Sequence, residues 1–170
     1  MDAHVFEAKD TLHNPTESFE TDTTNALNRF ENFNINMDIT FYYGFWDASD
    51  IHDDLAEDTS WVVNSRNDIV IGWVDYSDRN GIAYPNGTWD LDKDGVSNFA
   101  PYALCAVKSA GIDWPHDSIA QHETSHLFGA NDHTSGSFLC IMDYYWAKKG
   151  VNWWCDDCES CVANNINPQI

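Results

Sequence analysis

Basic residues are scarce in this sequence of 170 residues. Eight lysines and arginines stand against 28 aspartates and glutamates, which gives a formal net charge of −20 at pH 7. Nucleic acids and anionic lipid surfaces are bound through basic faces, so the composition argues against both as partners. An acidic surface stays hydrated at high ionic strength, where salt screens the repulsion. We therefore expect a halophilic protein, with an ordinary acidic secreted protein as the alternative.

Long apolar runs are also missing. No run approaches the roughly 18 to 20 apolar residues of a membrane-spanning helix, so we expect no membrane insertion. Residues 1–24 are polar and lack the apolar segment of a secretory signal. A glycosylation sequon over residues 86–88 and five cysteines in the second half nevertheless favour a secreted protein whose signal is absent from this sequence.

The hydrophobic content of 43% is enough to build a core, and no repeat or long linker divides the chain. Apolar periodicity predicts an α+β fold, a mixed sheet with helices packed on it. The predicted elements are a helix capped by Thr23 or Thr24, a strand over 37–46, a helix over 47–65, a central strand over 68–76, an edge strand over 81–84, and a strand over 102–108.

One segment has the pattern of a metal-binding helix. Ser118 followed by Gln121 is the pattern of a capping box, and Gly129 is placed to end the helix in a left-handed conformation. His122 and His126 lie one turn apart on the same face. Both imidazoles can therefore bind one zinc ion, the alternative being two solvated histidines on a helix.

Glu123 follows the first of these histidines and can hydrogen-bond a water on the metal without binding the metal. Zinc lowers the pKa of its bound water towards about 7. Glu123 would take the proton of that water, and the hydroxide would attack a polarised carbonyl. Glu123 would then deliver the proton to the leaving amine, so the segment predicts a zinc-dependent hydrolase.

The sequence HETSHLFGAND over residues 122–132 resembles the extended zinc motif of the metzincin metallopeptidases. In that family the chain turns at the glycine and returns with a third ligand, which is histidine in most members. This chain has Asp132 followed by His133, a pair that resembles the snapalysin branch of small secreted proteases. Because a carboxylate is a competent zinc ligand, we predict Asp132 as the third ligand, with His133 as the alternative.

The sequence CIMDY over residues 140–144 resembles the methionine turn of the same family. The resemblance implies that Met142 forms an apolar floor under the zinc ligands. Tyr144 matches the position of a tyrosine that, in the astacin and serralysin branches, reaches the metal and steadies the tetrahedral intermediate. Its alternative role is that of a buried aromatic residue.

Residues 80–84 resemble the edge strand above the metzincin cleft, where Gly81, Ile82 and Ala83 would pair with the backbone of an extended polypeptide substrate. The resemblance implies a metzincin-like zincin fold, with a twisted mixed sheet, packed helices, a zinc-binding active-site helix and a methionine turn. We predict one catalytic domain over residues 1–170, with an N-terminal subdomain over about 1–129 and a C-terminal subdomain over about 130–170.

Asp90, Asp92 and Asp94 alternate along the chain and precede Gly95, as in the first half of a calcium loop. The glutamate that completes an EF-hand is absent, because Pro101 occupies its place. We predict a tentative Ca²⁺ site of another type, with a solvent-facing acidic turn as the alternative.

The five cysteines are an odd set with two interpretations. Disulfides suit a secreted chain, with Cys140 paired to Cys155 as the preferred bridge, and a metal knuckle over residues 155–161 is the alternative. The remaining histidines have no metal-binding spacing and are expected to be surface or capping residues: His4, His13, His52 and His116.

These observations together predict a secreted zinc endopeptidase that hydrolyses extended polypeptides. One alternative is an inactive domain that binds zinc without hydrolysis. Another is a calcium-stabilised binding module that depends on the Asp90 loop. Glu123 argues against both alternatives, because an inactive domain has no use for a base beside its metal.

Overall fold

The computed structural model describes residues 1–8, 16–46, 55, 68–85, 88–89, 98–99, 101–111 and 114–165. The strands are β1 (Asp2–Ala8), β2 (Asp38–Trp46), β3 (Ile69–Ser77), β4 (Gly81–Tyr84), β5 (Thr88–Trp89), β6 (Asn98–Phe99) and β7 (Tyr102–Ser109). The helices are α1 (Thr16–Asn28), a 3-10 helix (Arg29–Phe33), α2 (His116–Leu127), α3 (Tyr144–Ala147) and α4 (Asp156–Asn164).

Five strands form the main sheet in the order β2-β1-β3-β7-β4. The pairs among β2, β1, β3 and β7 are parallel, and β4 runs antiparallel to β7 at one edge. Strands β5 and β6 form a separate antiparallel pair. The α+β class and the mixed sheet are therefore confirmed.

The sheet separates two apolar cores, as expected for parallel strands that are buried on both faces. On one face, Val5 and Ile71 pack with α1, α2 and the C-terminal segment in a single large cluster. On the other face, Phe6, Trp46 and Leu104 form a smaller cluster. Helix α2 thus lies on the first face, where its packing against β4 and β7 fixes its position in the molecule.

Strands β2, β3, β4 and β7 confirm the strands predicted from apolar patterning to within one residue at either end. Strand β1, which lies between β2 and β3, was not predicted. Helix α1 begins at Thr16, so the predicted cap at Thr23 or Thr24 was wrong. Thr23 is buried within the helix, where its hydroxyl accepts a hydrogen bond from the indole of Trp73 at 3.0 Å.

The helix predicted over residues 47–65 lies outside the described residues except at Leu55. Within the described ranges, no helix combines the length and the apolar character needed to cross a membrane.

Candidate metal centres

Helix α2 carries both histidines of the zinc pattern. The predicted capping box is absent: Pro115 occupies the N-cap position, and Ser118 is buried inside the first turn. The Nδ1–H group of His122 donates to the carbonyl of Ile141 at 2.8 Å, and that of His126 donates to Ala130 at 2.7 Å. These hydrogen bonds fix both tautomers and turn both Nε2 atoms towards the same point.

Asp132 reaches this point after a turn at Gly129, whose φ of 84° lies in the left-handed region as predicted. Its Oδ1 atom lies 3.1 Å from Nε2 of His122 and 3.5 Å from Nε2 of His126. Nε2 of His122 is buried and makes no hydrogen bond of acceptable geometry. Burial opposes ionisation of Asp132, but the two imidazoles hold the pKa of this carboxyl well below its usual range. The three side chains are arranged as donors around one cation.

Glu123 lies beside these donors and is only 6% exposed. Desolvation raises the pKa of its carboxyl, although His122 and His126 partly oppose the shift. Gly81 of β4 packs directly against this carboxylate, since a Cβ at that position would come within 2.6 Å of Glu123 Cγ and Oε1. The absence of a side chain at Gly81 is therefore what leaves room for the carboxylate.

The segment after the helix brings Tyr144 to the same place. Its hydroxyl donates to Oδ2 of Asp132 at 3.4 Å, and its ring centroid lies 5.4 Å from that of His122. Tyr144 is 48% exposed, so the alternative of a buried aromatic is wrong. Partial burial, together with the charges of Asp132 and Glu123, raises the pKa of Tyr144 and favours the protonated donor. Met142 is fully buried in the main core.

Asp143 fixes the loop that leads to this tyrosine. It is fully buried, and its carboxylate accepts hydrogen bonds from the backbone N–H groups of Gly136, Phe138 and Tyr145. Desolvation alone would raise the pKa of Asp143, but these donors lower it below its ordinary value. The carboxylate therefore anchors the whole segment between Asp132 and Tyr144.

A cleft of about 600 Å³ lies between β4 and α2. Gly81, Ile82 and Ala83 line one side, and Glu123 and His126 line the other. Among the described strands β4 is the last in the sheet order, so an extended segment can approach the cleft alongside its outer edge. The structure thus brings the predicted edge strand and the predicted zinc helix together.

His133 points away from this cleft and into a second cluster with Cys140, Cys155 and Cys158. Its Nε2 atom lies 3.1 Å from Sγ of Cys155 and 3.2 Å from Sγ of Cys158. All four ligand atoms lie within 4.8 Å of one another. One imidazole and three thiols are a donor set typical of tetrahedral structural zinc sites.

The five cysteines are free thiols, so the predicted bridge between Cys140 and Cys155 was wrong. The sulfur of Cys140 accepts backbone N–H hydrogen bonds from Met142 at 3.4 Å and from Cys155 at 3.2 Å. A hydrogen bond from the Cys158 thiol, aided by these N–H groups, lowers the pKa of Cys140 to about 5. Cys140 is therefore held as thiolate, the form that binds metal, whereas the hydrogen bond with Cys140 raises the pKa of Cys158 and keeps the proton on that thiol.

The knuckle interpretation was only partly right. It grouped Cys155 with Cys158, as the structure does, but it also included Cys161 and left out His133 and Cys140. Cys161 instead donates its thiol proton to the carbonyl of Gly129 at 3.0 Å. No short spacing in the sequence links His133 to the CxxC pair, so only the folded chain shows that they meet.

The remaining predicted site residues divide into two groups. Asp90, Asp92 and Asp94 lie outside the described residues, as do His13 and His52, so the calcium site stays a prediction. His116 is the first residue of α2, and its Nε2–H donates to the carbonyl of Val107 at 3.0 Å. His4 was wrongly expected at the surface, since it is only 7% exposed.

Comparison with solved structures identifies the fold. Archaemetzincin from Methanopyrus kandleri is similar with a TM-score of 0.59 and 13% sequence identity, over 98% of this chain and 95% of that chain. A zinc-dependent peptidase from Methanocorpusculum labreanum is similar with a TM-score of 0.52 and 13% identity, over 94% of this chain and 99% of that chain. No protein-family model matches the sequence, and no curated protein matches it. The chain therefore has the fold of zinc peptidases, and its resemblance to the snapalysin branch stays a prediction.

Proposed function

We propose that this chain is a zinc-dependent endopeptidase that hydrolyses extended polypeptides. One observation carries the proposal: His122, His126 and Asp132 converge beside the buried carboxylate of Glu123, on the floor of a cleft that follows an edge strand. Three protein donors with an open side are the arrangement of catalytic zinc sites.

The donor set fits zinc. Nε2 of His122 is buried without a hydrogen bond, and the opposite nitrogen of each imidazole is occupied by a backbone carbonyl, as is usual for metal-bound histidines. Asp132 supplies the third donor from a side chain that is 43% exposed, so the open side faces the cleft. Zinc bound by these residues would lower the pKa of a water molecule and polarise the scissile carbonyl.

Glu123 is the group that moves protons in this scheme. Its carboxylate takes a proton from the attacking water, and it gives that proton to the nitrogen of the leaving amine when the peptide bond breaks. Desolvation raises the pKa of Glu123 and so makes its carboxylate a stronger base. A stronger base is better matched to taking a proton from the attacking water. The contact with Gly81 restricts where its oxygens can lie.

Tyr144 is placed to stabilise charge on the carbonyl oxygen. Its phenol stays protonated, lies next to Asp132 and is half exposed towards the cleft. A Tyr144→Phe variant should lose on the order of tenfold to hundredfold in kcat, the worth of one hydrogen bond to a charged group, with little change in KM. Steady-state kinetics on a fluorogenic peptide tests this role, and an unchanged kcat would reject it.

Glu123→Gln tests the peptidase function itself. The variant keeps the size and the packing against Gly81 but removes the base, so cleavage of an unfolded protein substrate should fall by about 10² to 10⁴-fold. Zinc content should stay at the wild-type value. Glu31→Gln, at an exposed position in the 3-10 helix, is the matched control and should retain full activity.

Two results would contradict this function. Full cleavage by Glu123→Gln with zinc bound would assign the base to another group. No cleavage by wild type with zinc bound, at low or high salt, would favour the inactive zinc-binding module. The secreted location and halophilic character stay predictions from composition.

For the second cluster we propose a structural zinc ion held by His133, Cys140, Cys155 and Cys158. Four donors close the coordination shell and leave no position for substrate. Cys140 and Cys158 are buried, which suits a site that serves folding rather than chemistry. Zinc here would join the methionine-turn segment to the start of α4.

A further inference from the structure

A third group of ligand-type side chains lies at the start of strands β1 and β3. Asp2 and His4 occupy alternate positions of β1 and therefore face the same side of the sheet. Asp68 immediately precedes β3, and in the parallel register Ala3 pairs with Ile69. One donor atom from each of Asp2, His4 and Asp68 lies within 4.8 Å of the other two.

This group is separate from the two clusters around α2. Ala3 and Val5, which alternate with these residues, belong to the core under α1 and α2. Phe6, which follows His4 on its own face, belongs to the opposite core. Asp2 and His4 therefore lie on the face of the sheet that is turned away from His122.

His4 shows that this group is more than a set of acidic side chains. The residue is 7% exposed, and its Nε2 atom is buried without a hydrogen-bond partner among the described residues. A carboxylate oxygen of Asp68, Oδ2, lies 3.8 Å away, too far for a hydrogen bond. A buried polar atom without a partner is costly, so a ligand that Nε2 could bind would relieve this cost.

The other ring nitrogen is already occupied. Nδ1 of His4 lies 3.2 Å from the hydroxyl of Tyr42 on the neighbouring strand β2. When Nδ1–H donates to this hydroxyl, Nε2 carries a free lone pair directed at Asp68. Metal-bound histidines are commonly oriented in this way by a hydrogen bond from the second ring nitrogen.

We propose that Asp2, His4 and Asp68 bind a zinc ion. One imidazole and two carboxylates are a set that binds zinc, and in a tetrahedral site with zinc bonds of about 2.0 to 2.2 Å two N or O ligands lie about 3.3 to 3.6 Å apart. The separation of 3.8 Å between Nε2 of His4 and Oδ2 of Asp68 is a few tenths of an ångström longer, so a small side-chain rotation would bring both atoms to zinc-binding distance. Asp2 is exposed, and one of its carboxylate oxygens lies within 4.8 Å of the other two donor atoms, so water can complete the coordination. The ion would tie the first residues of β1 to the start of β3.

The test counts zinc ions and then locates them. The full chain is equilibrated with Zn²⁺, and bound zinc is measured by native mass spectrometry for wild type, His4→Gln, Asp68→Asn and the control Glu31→Gln. We expect His4→Gln and Asp68→Asn each to bind one zinc ion fewer than wild type. The control Glu31→Gln should bind as many zinc ions as wild type. This difference holds whether or not the chain is a peptidase, because zinc at the α2 clusters is common to all four proteins.

A crystal of the wild-type protein soaked in zinc gives the second measurement and does not depend on whether the variants fold. Anomalous scattering at the zinc edge should give a peak about 2.0 to 2.2 Å from Nε2 of His4. Equal zinc counts in wild type and Asp68→Asn, or an empty anomalous map at His4, would overturn the proposal. A site filled by Ca²⁺ and not by Zn²⁺ would also overturn it, since calcium takes oxygen ligands.

Discussion

Two neighbouring clusters beside α2 differ in the number of their donors and in their access to solvent. The cluster of His122, His126 and Asp132 has three donors and opens into a cleft of about 600 Å³. The cluster around Cys158 has four donors, and two of its thiols are buried. An ion in the first could still bind a substrate, whereas an ion in the second could only hold the chain together.

The adjacent residues Asp132 and His133 account for this contrast. Asp132 turns towards His122, and His133 turns towards Cys155. We call the group of His122, His126 and Asp132 the open cluster and the group of His133, Cys140, Cys155 and Cys158 the closed cluster. A single peptide bond thus separates a donor of the open cluster from a donor of the closed cluster. The sequence alone could not distinguish the two roles, because both residues were candidates for the same third ligand.

The largest effect should come from breaking the closed cluster. Cys158→Ser removes one of four donors, and structural zinc commonly supplies much of the folding free energy of the segment that it holds. We expect a fall of many degrees in the melting temperature. Asp132→Ala should instead abolish cleavage of a peptide substrate while the melting temperature falls by much less than in Cys158→Ser.

Thermal melting followed by circular dichroism, together with an activity assay on both variants, checks this contrast. The comparison would fail if Asp132→Ala lowered the melting temperature as much as Cys158→Ser. It would fail equally if Cys158→Ser melted like wild type with zinc present.

The next largest effect should come from displacing the Glu123 carboxylate beside the open cluster. Gly81→Ala places a methyl group 2.6 Å from Cγ and Oε1 of Glu123, which is too close, so the carboxylate must move. A displacement of about 1 Å can cost roughly 10² in rate, which is the fall that we expect in kcat/KM. Gly111→Ala is the matched control, because the nearest atom to its new Cβ would be 3.9 Å away. Equal activity of the two variants would show that Gly81 does not position the base.

The smallest effect should come from the loop that joins the clusters. Asp143→Asn weakens the hydrogen bonds to Gly136, Phe138 and Tyr145, and we expect a loss of about 1 to 3 kcal/mol in the free energy of unfolding. Because the folded pKa of Asp143 is lowered, its carboxylate stabilises the fold above an unfolded pKa of about 3.9. This contribution disappears as the pH falls through the folded pKa.

Denaturant unfolding of wild type and Asp143→Asn between pH 7 and pH 2 tests the sign of this effect. The difference in stability should be largest near neutral pH and should shrink with acidification. A difference that grew as the pH fell would contradict the assignment.

The open cluster could be predicted from the sequence because its donors follow each other closely. His122 and His126 are one helical turn apart, and Gly129 sets the turn that returns Asp132. Short spacings of this kind are fixed by local backbone geometry, so they can be interpreted before the tertiary structure is known. The edge strand at Gly81 could be predicted for a similar reason, since turn residues bound it on both sides.

The other features depended on tertiary structure. Strand β1 was missed because His4 and Glu7 break its apolar pattern, although both are buried in the sheet. The closed cluster was missed because His133 and Cys155 are 22 residues apart and meet only when the chain folds back. Long-range pairings of this kind leave no local pattern in a single sequence.

Zinc binding at the two clusters would also be thermodynamically coupled through the single peptide bond between Asp132 and His133. An ion bound by His133 would restrict the backbone at the neighbouring Asp132. Asp132 would then lose less conformational entropy when it binds an ion of its own. Such coupling is reciprocal, so each ion raises the affinity for the other by the same factor. The molecule would therefore respond to falling zinc supply cooperatively, and loss of an ion from the cluster of His133 would weaken zinc binding at the cluster of Asp132.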